Sequence, residues 1–228
     1  LNRKGMEKKE FYRHALPHFQ KPGQAYFITW TLKDAILPKA LDNYRIKISN
    51  LHSTLQILKD NKADDSVINI TSMEYFLTRN RFMKAFDDLL HLQDKSIVNL
   101  SNESNRDILI RTLAFWEGKK IENYAYCVMS NHVHWVFRVF EKDDKDQPVY
   151  LQDILQSVKR FSATKINKIE GLKGSLWQKE SYDTTIRDDK HLYNAIDYTI
   201  KNPVKAGLVD DWYKWKGTRL FNDSIDIY

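Results

Sequence analysis

The sequence has very little cysteine, since Cys127 is the single cysteine in 228 residues. One cysteine cannot form an internal disulfide, and it excludes a zinc cluster built from several cysteines. The chain also lacks any run of about eighteen apolar residues, the length that a membrane-spanning helix requires. No signal peptide with a charged start and a cleavage site opens the sequence. We therefore expect a cytoplasmic protein with no membrane partner.

The composition is that of a folded and mildly basic protein. Hydrophobic residues make up 42% of the chain and charged residues 29%, which is typical of a globular domain. The length allows one domain with room for an insertion or an arm. The formal net charge of +6 favours a polyanionic partner, although an excess this small also occurs in proteins that bind none.

The spacing of apolar residues predicts the order of the secondary structure elements. Strands are predicted at residues 24–32, 121–129, 132–140 and 180–186. Helices are predicted at 41–59, 71–92, 105–116 and 151–169, and a last helix runs from Asp188 or Asp189 to about Lys201, ended by Pro203. This order predicts an α+β protein with the ferredoxin-like split βαβ plan: an antiparallel sheet with helices on one face, plus a C-terminal helix.

The same reading predicts the domain organisation. Residues 1–18 are basic and have no clear period, so we expect an arm that orders only against the body or a ligand. Residues 19–217 are predicted to form a single domain with a helical insertion around 41–118, and residues 218–228 a C-terminal tail. No function can be assigned to the insertion from its sequence.

Two histidines, His132 and His134, open one of the predicted strands. Side chains alternate along a strand, so both histidines point to the same face, within reach of one ion, while Val133 faces the opposite side. Roughly one chain in five of this kind would contain such a pair by chance. Core histidines bonded to backbone carbonyls would give the same pattern. The pair alone therefore leaves the choice between a metal site and core packing open.

The last predicted helix carries Tyr198 and Asn202, which are four residues apart and share one helix face. The amide oxygen of Asn202 could complete a His-His-Asn set for a hard divalent cation, with positions left for a scissile phosphate. Tyr198 would lie one turn away, where a cation makes attack by its oxygen on a phosphate feasible. Tyr182, on a predicted strand, is the competing tyrosine, and Tyr193 falls off the face of Tyr198.

A nucleic-acid partner would need basic side chains for its phosphates and flat side chains for its bases. The phosphate-binding candidates are Lys159, Arg160, Lys165, Lys168, Lys173, Arg187, Lys201 and Lys205. The stacking candidates are Trp177, Trp212, Tyr213 and Trp215, and Gln178 could read a base edge. A solvated helix face explains the cations equally well, and core packing explains the tryptophans.

Four ordered motifs resemble those of the REP-associated tyrosine transposases, a branch of the single-tyrosine HUH nucleases. They are FYRHALPHFQ at 11–20, CVMSNHVH at 127–134, LWQKESYD at 176–183 followed by IRD at 186–188, and YTIKNPVKAGL at 198–208. The resemblance runs from about residue 11 to residue 217. Two departures are Ser130-Asn131, where the family often has Pro-Asn, and the long region 41–119 with its polar loop at 93–104.

This resemblance implies a bacterial cytoplasmic enzyme, associated with the nucleoid when it acts, that cuts and rejoins single-stranded DNA beside a hairpin through a covalent 5′-phosphotyrosine. It implies Mg²⁺ or Mn²⁺ as the cofactor, His132, His134 and Asn202 as the metal ligands, and Tyr198 as the nucleophile. Monomer and homodimer are both compatible with it. Two alternatives stay open: a domesticated protein that binds hairpin nucleic acid without cutting it, and a phosphodiesterase that uses water, for which the sequence offers no evident general base near the pair.

Overall fold

The computed structural model describes residues 11–13, 17–36, 38–92 and 96–221. Most of the predicted arm, part of the 93–104 loop and residues 222–228 of the predicted tail lie outside these residues. Where the predicted arm meets the predicted domain, β1 (Phe11–Arg13) and β2 (Pro17–Phe19) pair in antiparallel fashion as a small separate sheet.

An antiparallel sheet of five strands forms the centre of the described structure. Its strands are β3 (Ala25–Thr31), β4 (Ile121–Val128), β5 (His132–Val139), β6 (Tyr182–Thr185) and β7 (Thr218–Leu220). They lie in the order β6-β3-β5-β4-β7, in which the first four follow the split βαβ plan. The predicted α+β, ferredoxin-like fold is confirmed.

Longer helices in the described part of the chain are α1 (Asp42–Asp60), α2 (Asp65–Leu92), α3 (Glu103–Ala114), α4 (Leu151–Glu170) and α5 (Asp189–Lys205). The prediction that Pro203 ends α5 is wrong, because the helix runs on to Lys205. Pro203 is buried together with Ile200. Packing of this apolar face outweighs the one helical hydrogen bond that a proline cannot donate. None of the described helices is long and apolar enough to cross a membrane.

The two faces of the sheet are covered by different helices. Trp135 of β5 donates from Nε1 to Asn123 of β4, whose own amide donates to the Leu113 carbonyl of α3. This face therefore packs against α3, and α4 joins it through the same apolar core. On the opposite face, Val136 of β5 packs with Ile196 of α5 in a smaller core. Because side chains alternate, His132 and His134 share the α5 face with Val136.

The first two helices of the predicted insertion, α1 and α2, lie on this same face, whereas α3 lies on the other. Cross-strand partners project to one side of a sheet, and Tyr182 of β6 is paired with Thr29 of β3, which is itself paired with His134. The Tyr182 ring packs against Phe86 of α2 with centroids 4.1 Å apart. Its hydroxyl accepts a hydrogen bond of 3.2 Å from Arg45 of α1. The α1–α2 hairpin thus covers the histidine face beside α5.

The segment after residue 217 completes the sheet. β7 pairs with β4, with Ala125 opposite Leu220 and Cys127 opposite Thr218. The Thr218 hydroxyl lies 3.3 Å from the sulfur of the buried Cys127. The predicted boundary between domain and tail therefore cuts through the sheet, because a strand of three residues is too short to show a period in the sequence.

We expect a chain that ends at Gly217 to be less stable than one that ends at Phe221, by about 2–4 kcal/mol. The shorter chain loses the β4–β7 pairing and the contact between the Tyr126 and Phe221 rings, whose centroids are 5.7 Å apart. Urea unfolding of the two chains measures the difference. Equal midpoints and slopes would show that the edge strand adds no stability.

Candidate active site

His132 and His134 lie side by side on β5 with their imidazoles in contact. Both side chains are buried, and their Nε2 atoms are 3.1 Å apart. Two neighbouring ligands of an octahedral Mg²⁺ at its usual bond length are about 3 Å apart. The spacing of the two nitrogens therefore fits a shared cation.

A chain of hydrogen bonds orients the His132 ring. The Asn131 amide nitrogen donates to the Leu90 carbonyl of α2 at 3.0 Å, which turns the amide oxygen towards His132 Nδ1 at 2.6 Å. Because that oxygen can only accept, Nδ1 carries the hydrogen and Nε2 keeps its lone pair. His134 Nδ1 is held 2.8 Å from the Thr29 hydroxyl. Both rings thus present Nε2 to the same point.

The surroundings keep both imidazoles neutral. Burial lowers the pKa of His132 well below its ordinary value, and electrostatic repulsion from the neighbouring His134 and His91 opposes its protonation further. Burial, with His91 and Lys205 nearby, lowers the pKa of His134 to about 3. A neutral imidazole has the lone pair that a metal ion requires.

Asn202 of α5 is the candidate third ligand and is fully buried. Its Oδ1 lies 3.4 Å from Nε2 of His91, and its side chain also reaches His132. Its Nδ2 has no hydrogen-bond partner among the described residues. In that same part of the chain, no group of three His, Cys, Asp or Glu side chains could hold a metal ion. A metal centre here depends on the Asn202 oxygen, and the orientation of the amide fits that role.

Tyr198 lies one helical turn before Asn202, with its ring edge-on to His134 at a centroid distance of 5.3 Å. Its hydroxyl donates to the buried carboxylate of Asp87 on α2, which also accepts from the Lys205 ammonium. Burial raises the pKa of Tyr198 well above its ordinary value, and the negative charge of Asp87 raises it further. The phenol is therefore neutral, and its proton points at a carboxylate.

The contribution of α2 was absent from the sequence interpretation. Asp87, the Leu90 carbonyl and His91 all come from the insertion to which no function could be assigned. Asp87 and His91 are four residues apart on a helix whose buried side is mostly apolar, next to Phe86 and Leu90. Two polar residues on the buried face of an amphipathic helix are the signal that could have identified them.

The predicted DNA contacts do not form one surface. Lys159, Arg160, Trp177 and Gln178 line a groove of about 870 Å³ beside the first half of α4. Lys165 and Lys168 line a different groove of about 510 Å³ between α3 and α4. Lys173 follows α4, Arg187 precedes α5, and Lys201 and Lys205 belong to α5 itself.

Two of these residues are engaged within the protein. The Lys159 ammonium donates to the Gln178 carbonyl at 2.8 Å and to the Ser181 hydroxyl at 3.1 Å, and burial lowers its pKa to about 8. Trp177 is only 5% exposed, and its ring nitrogen donates to the Lys159 carbonyl at 3.0 Å. The prediction that Trp177 stacks on bases does not fit this burial, because its ring forms part of the core.

The other stacking and charge candidates differ in their exposure. Trp215 donates to the Val128 carbonyl at 2.9 Å, and Trp212 packs against the core beneath α5, whereas Tyr213 is 66% exposed. On α5, the Lys201 ammonium forms an ion pair with the Asp197 carboxylate, with nitrogen and oxygen 2.6 Å apart. Tyr213 is thus the aromatic side chain of this group that remains available to a base.

Comparison with known proteins places the chain near one family. No protein-family model matches it. A Haemophilus influenzae protein that carries the provisional name REP-associated tyrosine transposase is 34% identical over 112 residues, which cover 47% of this chain and 64% of that protein. The predicted resemblance to the REP-associated tyrosine transposases is confirmed. The chain spans slightly less than two thirds of the length of this relative.

A solved structure described as a REP-associated tyrosine transposase bound to a REP hairpin is also similar. The alignment covers 91% of this chain and 80% of the other, with 16% identity and a TM-score of 0.45. An overlap at this level carries no argument about the site.

We expect the metal-free protein to lose stability as the pH falls from 7 towards 4. Unfolded histidines take up protons near pH 6.5, whereas His134 in the fold does so only near pH 3. The unfolded chain therefore binds more protons in this window, so the free energy of unfolding falls with falling pH, by up to about 1.4 kcal/mol per pH unit for each such histidine. Urea unfolding in the presence of a chelator measures this slope.

The His134→Gln variant is the comparison, because glutamine does not titrate. Its slope should be smaller than that of the wild type over the same pH range. The same slope in both proteins would contradict the depressed pKa of His134.

Proposed function

We propose that this protein cuts and rejoins single-stranded DNA beside a hairpin, through a covalent 5′-phosphotyrosine on Tyr198. The observation that supports this most directly is the position of Tyr198: its ring contacts His134, and its hydroxyl donates to the buried Asp87. A cation site and a hydroxyl nucleophile with an adjacent base are the parts that such a transfer needs. The similarity to a relative named as a REP-associated tyrosine transposase agrees with this chemistry.

His132, His134 and Asn202 would hold the metal ion, Mg²⁺ or Mn²⁺, in this proposal. When bound, the cation neutralises phosphate charge and polarises the scissile bond. The protein supplies two neutral imidazoles with fixed tautomers and one amide oxygen. The remaining coordination positions would be open to phosphate oxygens and water.

Asp87 is the proton acceptor that the protein offers to Tyr198. As the bond from the tyrosine oxygen to phosphorus forms, the phenolic proton passes to Asp87 and the bond from phosphorus to the 3′ oxygen breaks. The departing 3′ oxygen takes a proton from solvent. In rejoining, a 3′ hydroxyl attacks the phosphotyrosine and gives its proton to solvent, while Asp87 returns its proton to the tyrosine oxygen. Lys205, paired with the same carboxylate, holds Asp87 in place.

Asp87 is also a candidate general base for the alternative function, a phosphodiesterase that uses water. The sequence offered no base near the histidines, and the structure provides this carboxylate on α2. Its hydrogen bond with the Tyr198 hydroxyl favours the tyrosine as the group that it deprotonates. A covalent intermediate distinguishes the two routes, since hydrolysis by water leaves none.

We expect Tyr198→Phe to abolish the covalent adduct between the protein and a labelled, hairpin-flanked single strand in Mn²⁺. Phenylalanine lacks the oxygen that bonds to phosphorus. Tyr182→Phe is the matched control, because Tyr182 is also a largely buried tyrosine on this face of the sheet, and it should retain the adduct. Denaturing gels of the labelled DNA show the adduct directly.

Other outcomes of this assay identify the alternatives. An adduct that survives Tyr198→Phe but not Tyr182→Phe would assign the nucleophile to Tyr182. A salt-sensitive complex without an adduct on any strand would favour a hairpin-binding protein that does not cut. Cleavage without an adduct would favour hydrolysis.

His132→Ala should lower Mn²⁺ affinity and adduct formation together, because it removes a metal ligand.

We expect Asp87→Asn to slow adduct formation by about 10²–10⁴-fold, since an amide cannot accept the phenolic proton. Asp88→Asn is the matched control, because Asp88 is the next residue and is exposed. Single-turnover quench experiments give the rates, and circular dichroism verifies that both variants fold. Equal rates in the two variants would rule out Asp87 as the acceptor.

A further inference from the structure

The groove between α3 and α4 lies on the side of the sheet away from the candidate active site. Trp116, just after α3, donates to Ser157 of α4 at 3.3 Å, while Asn105 at the start of α3 donates to Glu170 at the end of α4 at 2.6 Å. The two helices therefore run antiparallel. Between these contacts the seam opens into a groove of about 510 Å³, which we call the α3–α4 groove.

The groove exposes large apolar side chains. Phe115 is 57% exposed, Phe161 50% and Ile169 57%. Phe161 and Ile169 follow the apolar spacing of α4, yet the structure leaves both side chains exposed. The apolar stripe of α4 is wider than the surface that the sheet and α3 cover, so its flank is left open beside the fully buried Ile166.

Cations surround these rings. The Lys165 ammonium lies 5.4 Å from the centroid of the Phe161 ring, and the Lys119 ammonium 5.2 Å from that of Phe115. Arg111 and Lys168 also line the groove, and no acidic residue belongs to its described lining. The larger groove beside α4 contains Glu180, and its Lys159 is engaged by backbone carbonyls. The α3–α4 groove is thus the one of these two whose charge favours a polyanion.

We infer that the α3–α4 groove binds single-stranded DNA, with bases stacked on Phe115 and Phe161 and phosphates bound by Arg111, Lys165 and Lys168. Exposed aromatic rings interleaved with cations are the two elements of single-strand binding sites. The lysines that now lie over the rings have long flexible stems, so their ammonium groups can move to phosphates while bases take the ring faces. From Ser157 to Ile169 the seam is roughly 18 Å long, enough for several nucleotides.

This inference rests on the proposed function, since it assigns the groove to DNA that flanks the strand cut at Tyr198. An apolar peptide would fill the same cleft but would leave three cations of the lining without a counter-charge. Charge complementarity therefore favours the nucleic acid over a protein segment.

The test measures the binding of fluorescein-labelled oligothymidylate by fluorescence anisotropy. Phe115→Ala/Phe161→Ala should weaken binding by at least tenfold, which is about 1.4 kcal/mol. Lys165→Gln/Lys168→Gln should weaken it and reduce the slope of log affinity against log salt by roughly 1.4, as expected when two phosphate contacts are lost. All four side chains border an open groove, so the fold should tolerate these changes.

Matched controls separate the groove from general surface effects. Phe76→Ala removes a phenylalanine of equal exposure, 51%, on α2. Lys142→Gln/Lys145→Gln removes two positive charges from an exposed loop. Both variants should bind oligothymidylate like the wild type.

Binding that is unchanged in the groove variants, or lowered equally in the controls, would overturn the inference. Unchanged DNA binding together with a changed sedimentation coefficient would instead identify the groove as a contact between protein chains. The Tyr198 adduct on a short hairpin-flanked strand tests the proposed function separately. If the wild type forms that adduct while the groove variants bind DNA normally, the function stands and the groove assignment fails.

Discussion

The burial of two neutral histidines constrains everything that packs on one face of the sheet. His132 and His134 are removed from water, so each ring nitrogen needs a polar partner or a cation. Asn131 and Thr29 supply the partners on the Nδ1 side, and the Leu90 carbonyl fixes Asn131 in turn. What remains is a pair of Nε2 atoms that face each other and an adjacent amide. The same burial keeps both rings uncharged, as metal binding requires.

The helical insertion is therefore part of the site. Without α2 there would be no carboxylate beside the tyrosine hydroxyl and no carbonyl to orient Asn131. Asp87 joins Tyr198 and Lys205 in one hydrogen-bonded cluster across the boundary between the insertion and the ferredoxin-like core. The two partners of this hydrogen bond thus come from segments that are separated by 111 positions in the sequence. The stability of the insertion and the chemistry of the site are coupled through these contacts.

Positively charged side chains line grooves on two sides of α4. Lys159 and Arg160 belong to one groove, where much of the charge is engaged by the protein, and Lys165 and Lys168 belong to the other, where aromatic rings are exposed. The candidate chemistry lies on the opposite face of the sheet. In this arrangement one face would process a strand, and the other would hold DNA that extends from it.

The sequence by itself determined the positions of β3, β4, β5 and β6 along the chain, the common face of the two histidines and the common helix face of Tyr198 and Asn202. These follow from fixed periods of two and 3.6 residues, which depend on the local backbone alone. Only the tertiary structure decided that α2 lies over the site, that Trp177 is buried and that β7 closes the sheet edge. A local period shows which side of an element faces inward, but not which distant element covers it, because that depends on packing between segments far apart in the chain.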